Sequence, residues 1–221
     1  MSITNPINLK EMKMKNLMIY ALLLLPIGLM AQCTSEKQDQ KADENVVVKT
    51  IMERRSVRKY LDKPVEHDKL VTMVECGINA PNGMNQQPWE VRVVESQEWV
   101  KGITAAYVEK NPNAAKNDPN FKTMFRNAPN VIVIATPEGK GLVDAGLMGE
   151  NMILAAQSMG LGTCCLGGPV GFLQGDPAAA SYLKQLDIPE GYSIAYMIAV
   201  GYPDEQPQAK PRDTSKVKYI K

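Results

Sequence analysis

Apolar residues along this chain fall into short periodic groups, separated by polar turns that carry Pro, Gly and Asn. Val48, Ile51 and Met52 recur at i, i+3 and i+4 and predict a short helix that ends near Arg54-Arg55-Ser56. Leu70, Met73, Val74, Gly77 and Ile78 predict a second helix, stopped by the turn cluster Ala80-Pro81-Asn82-Gly83. Glu90-Val91-Arg92-Val93-Val94-Glu95 reads as a strand, and Ser96 is placed to cap a helix that carries Trp99, Ile103 and Tyr107. Residues 109–129 are rich in Asn, Pro and Lys, with Phe121, Met124 and Phe125 interspersed. They predict a long loop with a short helix, the sort of element that becomes a lid.

Asn130-Val131-Ile132-Val133-Ile134-Ala135 reads as a buried strand. Residues 142–159 are apolar on nearly every side and include Gly146, Gly149, Ala155 and Ala156. That composition suits a helix packed closely all round, at the centre of a domain or of a dimer. Gly160-Leu161-Gly162-Thr163 ends it; a helix around 177–186 and a strand over 193–201 follow. Helices and strands mix without a regular βαβ alternation, so the fold class is α+β. The tail, 202–221, is basic and Pro-punctuated, with little core of its own, and is expected to lie over something else.

The beginning of the chain is different in kind. Lys13 and Lys15 precede an apolar run from Leu17 to Ala31 that is interrupted by Pro26. A membrane span needs about 20 apolar residues, so this is read as a secretory signal peptide over 1–31. Two endings stay open: cleavage after Ala31, or lipidation and membrane tethering at Cys33. Residues 32–45 carry almost no apolar side chain and read as a flexible linker, which leaves 46–221 as the folded domain. The chain is thereby expected to be exported, either periplasmic or tethered as a lipoprotein.

Composition narrows the partners. The 221 residues are 44% hydrophobic and 22% charged, as in ordinary globular proteins, and 25 Lys plus Arg nearly balance 24 Asp plus Glu. That balance predicts no nucleic-acid partner. Cys76 and the neighbours Cys164-Cys165 have neither metal-ligand spacing nor ready disulfide geometry. No metal site is expected. The one histidine, His67, stands at a charged helix start, which argues against a His-based triad.

Four clusters remain for chemistry. Arg54-Arg55-Ser56-Val57-Arg58 offers forked donors of the kind a phosphate needs, although alone it reads first as a solvated basic helix end. Pro81-Asn82-Gly83-Met84-Asn85-Gln86-Gln87-Pro88-Trp89 packs amides between prolines and an aromatic, which suits a heterocycle or simply a rigid turn. Gly160-Leu161-Gly162-Thr163 running into Leu166-Gly167-Gly168-Pro169 lets backbone approach a ligand, but lacks the Walker lysine and the Rossmann spacing. Lys210-Pro211-Arg212 alone is a charged tail.

In this order, the four clusters resemble the signposts of the nitroreductase family, over essentially all of 47–221. The resemblance implies a central, mostly antiparallel sheet flanked by helices, in an intertwined homodimer with FMN at its interface. The cofactor-binding set it implies opens with Arg54, Arg55, Ser56 and Arg58. Arg54 and Ser56, with Lys210 and Arg212, would hold the phosphate, and Arg58 would lie toward the flavin N1/O2 edge. Pro81, Asn82 and Asn85 would reach across from the partner subunit, with backbone amides near Leu166, Gly167 and Gly168 beside N5.

The implied chemistry is a ping-pong transfer from NAD(P)H, through FMN, to a nitroaromatic, quinone or similar conjugated acceptor. The cofactor carries the reaction, so no side chain is assigned as catalytic. Export would remove the chain from the usual nicotinamide pool. This motivates an alternative, an exported flavin-binding or carrier protein without NAD(P)H turnover. A flavin-fragmenting or dehalogenating relative ranks last, because the 109–129 stretch is modest for a dedicated lid.

Overall fold

Strand β2 (Asn130–Pro137) is apolar at almost every position because helices cover both faces of the sheet it centres. The structure, a computed structural model, describes residues 45–221. The expected signal peptide, 1–31, and all of the linker except Asn45 lie outside the described residues. Within the described part the sheet order is β1 (Glu90–Val94), β2, β4 (Tyr192–Gly201) and β3 (Gly162–Leu166), and every neighbouring pair is antiparallel. The helices are α1 (Val46–Glu53), α2 (His67–Ile78), α3 (Gln97–Lys110), α4 (Pro112–Lys116), α5 (Leu142–Ser158), α6 (Gly168–Gly175) and α7 (Ala180–Gln185). This is the α+β class, with an antiparallel sheet flanked by helices.

Alternation along the strands sorts the core into two layers. Val131, Val133, Met197, Ala199, Cys164 and Leu166 face Trp99, Val100 and Ile103 of α3 and Leu173 of α6. Ile132, Ile134, Ile198 and Val200 face Leu70 and Met73 of α2 and Ala145, Met148 and Met152 of α5. Each such buried side chain contributes roughly 1.5–3 kcal/mol relative to exposure, which is why the two layers fix the sheet between them.

Local signals set the helix ends. The Asn45 carboxamide accepts from the amides of Val47 and Val48 at 3.1 Å each, and Ser96 Oγ accepts from Trp99 N at 3.1 Å. In α5 the small residue Gly149 lets the helix lie against β4. A Cβ there would stand 1.8 Å from the Tyr196 hydroxyl oxygen, and that hydroxyl donates to Ala145 O at 2.7 Å.

Two elements depart from the sequence reading. Residues 162–166, expected to run from one Gly-rich stretch into the next, form strand β3, because pairing with β4 supplies the ladder. Helix α6 begins immediately after it, with Pro169 in its first turn and Leu173 buried. At the other extreme, α1 buries none of its residues, and Val46, Val47, Val48, Ile51 and Met52 are all exposed. The tail beyond Pro203 is likewise exposed except for half-buried Glu205 and Pro207.

Candidate active site

The chain leaving α1 is stitched to the sheet edge at two points. Ser56 bridges Thr163 in parallel, with Val57 N donating to Thr163 O at 2.9 Å. Tyr60 bridges Pro203, with Asp204 N donating to Lys59 O and Leu61 N to Tyr202 O, both at 2.9 Å. Gly162 permits the first of these contacts, since a Cβ there would meet the Val57 side chain at 2.8 Å. The result carries Arg58 to the place where β3 turns into α6. Arg58 N donates to Glu205 Oε1 at 2.5 Å, and its Nη1 donates to Ser56 O at 3.2 Å. Burial, with smaller contributions from Cys164 and Glu205, pushes the Tyr60 phenol above its ordinary range, and its hydroxyl donates to Val57 O at 2.6 Å.

A pocket of about 1050 Å³ opens between this segment, the β3–α6 turn and the loop after α4. Its volume sits at the top of the roughly 300–1,000 Å³ that cofactor and small-molecule sites occupy. Arg58, Lys59 and Tyr60 form one wall, and Cys164, Cys165, Leu166, Gly167 and Gly168 form another. A Cβ on Gly167 or Gly168 would meet nothing within 4 Å, so the turn presents bare backbone. Of the first three positions of α6, Pro169 carries no N–H and Val170 N donates to Gly167 O at 3.1 Å, so of these only the Gly168 amide is left to meet a ligand. Burial pushes the Cys165 thiol up, helped by Cys164 and Glu150, so it stays protonated and weakly nucleophilic.

The third wall is the loop of 117–129, and it is pinned. Phe125 is fully buried and stacks on Trp99 with centroids 6.1 Å apart. Met124 N donates to Thr104 Oγ1 at 3.3 Å, and Lys122 pairs with Asp62 at 3.2 Å. Asn127 is the loop's internal clamp. Its Oδ1 accepts from Lys122 N at 2.7 Å and Thr123 N at 2.9 Å, while its Nδ2 donates to Asn120 O at 2.8 Å. Arg126 and Asn127 both hold positive φ, 60° and 63°. Thr123 Oγ1 is the one buried side-chain polar atom among the described residues without a hydrogen-bond partner, and Thr123 lines the pocket.

A family model described as the nitroreductase family matches residues 51–202. The chain belongs to the nitroreductase family. The NADPH-flavin oxidoreductase of Vibrio harveyi is 30% identical over 174 residues, 76% of this chain and 70% of the relative. The NAD(P)H FMN reductase of Bacillus subtilis is 27% identical over 186 residues, with the same two coverages. Among solved structures, an FMN-bound nitroreductase from Desulfitobacterium hafniense superposes with TM-score 0.70 at 28% identity, covering 80% of this chain and 100% of that one. An FMN-bound nitroreductase from Bacteroides fragilis gives 0.66 at 26% identity, again covering 80% and 100%.

Against this nitroreductase frame, the residues expected to hold a cofactor divide. Arg58, Leu166, Gly167 and Gly168 line the pocket; the other eight do not. Arg54 pairs loosely with Glu150, Nε to Oε1 at 3.7 Å, next to Ser56 on the bridge. Arg55 is spent at the end of α1, where its Nη1 donates to Met52 O and Arg54 O at 2.7 Å each. In the 81–89 turn the Asn82 carboxamide is also committed. Its Oδ1 accepts from Gln87 N at 2.8 Å and its Nδ2 donates to Ala80 O at 3.4 Å. Asn82 therefore shapes the turn, in which Met84, Asn85 and Gln87 all hold positive φ. Lys210 and Arg212 lie on the exposed tail.

Sequence reading missed Lys59, Tyr107, Arg126, Asn127, Asp204 and Glu205 as parts of the pocket wall. The Asn- and Pro-rich composition of the loop signalled a lid, but carried no register for which of its side chains would clamp it.

Proposed function

We propose that this chain is an FMN-dependent NAD(P)H oxidoreductase that works as a homodimer and reduces a nitroaromatic, quinone or similar conjugated acceptor. The observation that carries this reading is the pocket itself. A cation, Arg58, stands on one wall and the bare Leu166-Gly167-Gly168 backbone on another. That combination fits a flat heterocycle with polar edges, and FMN is bound in the Desulfitobacterium hafniense and Bacteroides fragilis nitroreductases. FMN, when bound, supplies the hydride chemistry.

The chain's residues bind, orient and exclude water. Arg54, Ser56, Lys210 and Arg212 provide charge-assisted donors for the phosphate. Arg58 counters negative charge on the bound ring, and Glu205 fixes Arg58 by accepting from its backbone amide. The Phe125-anchored loop supplies a third wall of the pocket.

A second copy is called for because, among the described residues, α1 buries none of its side chains and the tail is largely exposed. Helix α1 exposes five large apolar residues, and Leu142, Val143 and Leu147 of α5 are exposed as well. A second copy covers this apolar surface and brings Asn85, which has positive φ and a turn shaped by Asn82, to the partner's pocket. Residues 1–31 direct export, with processing after Ala31 or at Cys33; the amino-terminal mass of the mature protein distinguishes the two.

Steady-state rates with NADPH or NADH varied against menadione test the catalytic reading. Parallel double-reciprocal lines are expected, since donor and acceptor occupy one pocket in turn. Intersecting lines would mean that both bind together, which the single-pocket reading excludes.

A further inference from the structure

The pinned loop presents one residue that its own architecture does not use. Arg126 lines the pocket, and its side chain has no hydrogen-bond or ion-pair partner among the described residues. Three of the charged side chains that share the pocket lining have partners of their own, while the Asp204 carboxylate also lines it. Lys122 is paired with Asp62, the Asp118 carboxylate accepts from Asn120 N, and Glu205 accepts from Arg58 N. The Arg126 backbone is also held at φ 60°, a conformation that glycine or asparagine adopts with less strain than arginine. The Phe125 anchor and the Asn127 clamp impose that conformation from either side. Sparsely populated backbone held by its surroundings recurs at ligand-binding sites, and Arg126 is an exposed cation on the pocket lining. Lys59, on the facing segment's share of the lining, adds a second cation.

We propose that Arg126 anchors a phosphate group of the nicotinamide donor, with Lys59 supporting it, and so sets donor affinity and donor choice. This rests on the reductase reading above. A guanidinium is the side chain suited to phosphate, because its planar fork donates two parallel charge-assisted bonds. A nicotinamide dinucleotide offers that chemistry twice, in the pyrophosphate of both donors and in the 2′-phosphate of NADPH alone. Arg126 lines the pocket, whereas Arg54 and Ser56, assigned to the cofactor's own phosphate, do not line it.

The test uses the FMN-loaded full-length protein and two substitutions. Arg126→Asn removes the charge but tolerates the positive φ, so the loop keeps its shape; Arg126→Lys keeps the charge and loses the fork. Adenosine 2′,5′-bisphosphate and ADP are titrated calorimetrically into the oxidised protein, a readout independent of turnover. In Arg126→Asn, affinity for at least one probe is expected to fall on the order of tenfold, with Arg126→Lys intermediate. The gap is expected to shrink as salt rises. KM for the matching donor is expected to rise with little change in kcat.

Loss confined to adenosine 2′,5′-bisphosphate assigns the contact to the 2′-phosphate and makes the enzyme NADPH-selective through Arg126. Equal loss with ADP assigns it to the pyrophosphate. Unchanged affinity for both probes, in a protein whose flavin NADPH still reduces, overturns the assignment and leaves the reductase reading standing. A wild-type protein whose flavin is reduced by neither nucleotide overturns both.

Discussion

Replacing Asn127 with alanine removes the clamp of the loop wall without touching the sheet. Three hydrogen bonds disappear: from Lys122 N at 2.7 Å, from Thr123 N at 2.9 Å and to Asn120 O at 2.8 Å. Each contributes about 0.5–1.5 kcal/mol net, at the lower end here because the loop is partly exposed and water takes up the released amides. Alanine at φ 63° adds a backbone cost of about 1 kcal/mol that asparagine largely avoids. The total, about 2.5 kcal/mol, falls on the loop and not on the core, because Phe125 stays anchored on Trp99. Opening of the loop is thus expected to become about 70-fold more frequent. Amide hydrogen exchange at Lys122 and Thr123 reads this directly, since exchange through local opening tracks its equilibrium. Asn127→Gly separates the two terms by losing the bonds without the strain, and its effect is expected to be smaller. Exchange at Lys122 and Thr123 that matches the wild type in Asn127→Ala would show that the side chain does not hold the loop.

Three further outcomes are expected. Arg54→Ala or Arg212→Ala weakens FMN retention by about 1.5–3 kcal/mol, or roughly 10- to 100-fold, in flavin-fluorescence titrations; undiminished retention in both sinks the phosphate assignment. Gly149→Ala lowers the urea midpoint by an amount equivalent to about 1–3 kcal/mol, because the new methyl would stand 1.8 Å from the Tyr196 hydroxyl and must displace it; an unchanged midpoint contradicts that packing. The Tyr202 hydroxyl, then the backbone and Lys63, hold the Glu66 carboxyl down from 4.5 to about 2. A depressed carboxylate stabilises the fold above its unfolded pKa, and that contribution is lost as pH falls from about 4.5 toward about 2. In Tyr202→Phe the NMR titration of Glu66 is expected to move up toward the ordinary value; a titration left near the wild-type position would show that the tyrosine is not the cause.

The parts of the fold legible in the sequence are those whose pattern outweighs context. The β2 segment is apolar throughout, and Leu70, Met73 and Gly77 of α2 are buried at helical spacing. Strand β3 was hidden because Gly162 opens it and Gly167-Gly168 follow it, which outweighs the strand preference of Thr163 in so short a run; pairing with β4 fixes it. Helix α6 opens Gly168-Pro169 and contains Gly171, residues that weaken a helix in isolation, yet burial of Leu173 holds it. The candidate site shows the same division. Its Arg and Gly-rich segments were visible as residue types, and Asn85 and Asn127 are types that accept positive φ. Met84, Gln87 and Arg126 adopt the same conformation with no signal in their identity, because neighbouring contacts impose it. That Arg55 and Asn82 are committed to local backbone was also invisible without geometry.

The most direct test of the central claim is an absorbance spectrum of the protein purified from residue 45 onward, followed by anaerobic additions of NADH and NADPH. A bound flavin whose long-wavelength band bleaches with either donor and returns on adding a quinone is the expected result. A protein that takes up no FMN even after incubation with it, or whose bound flavin neither donor reduces, would contradict the assignment of an FMN-dependent NAD(P)H oxidoreductase.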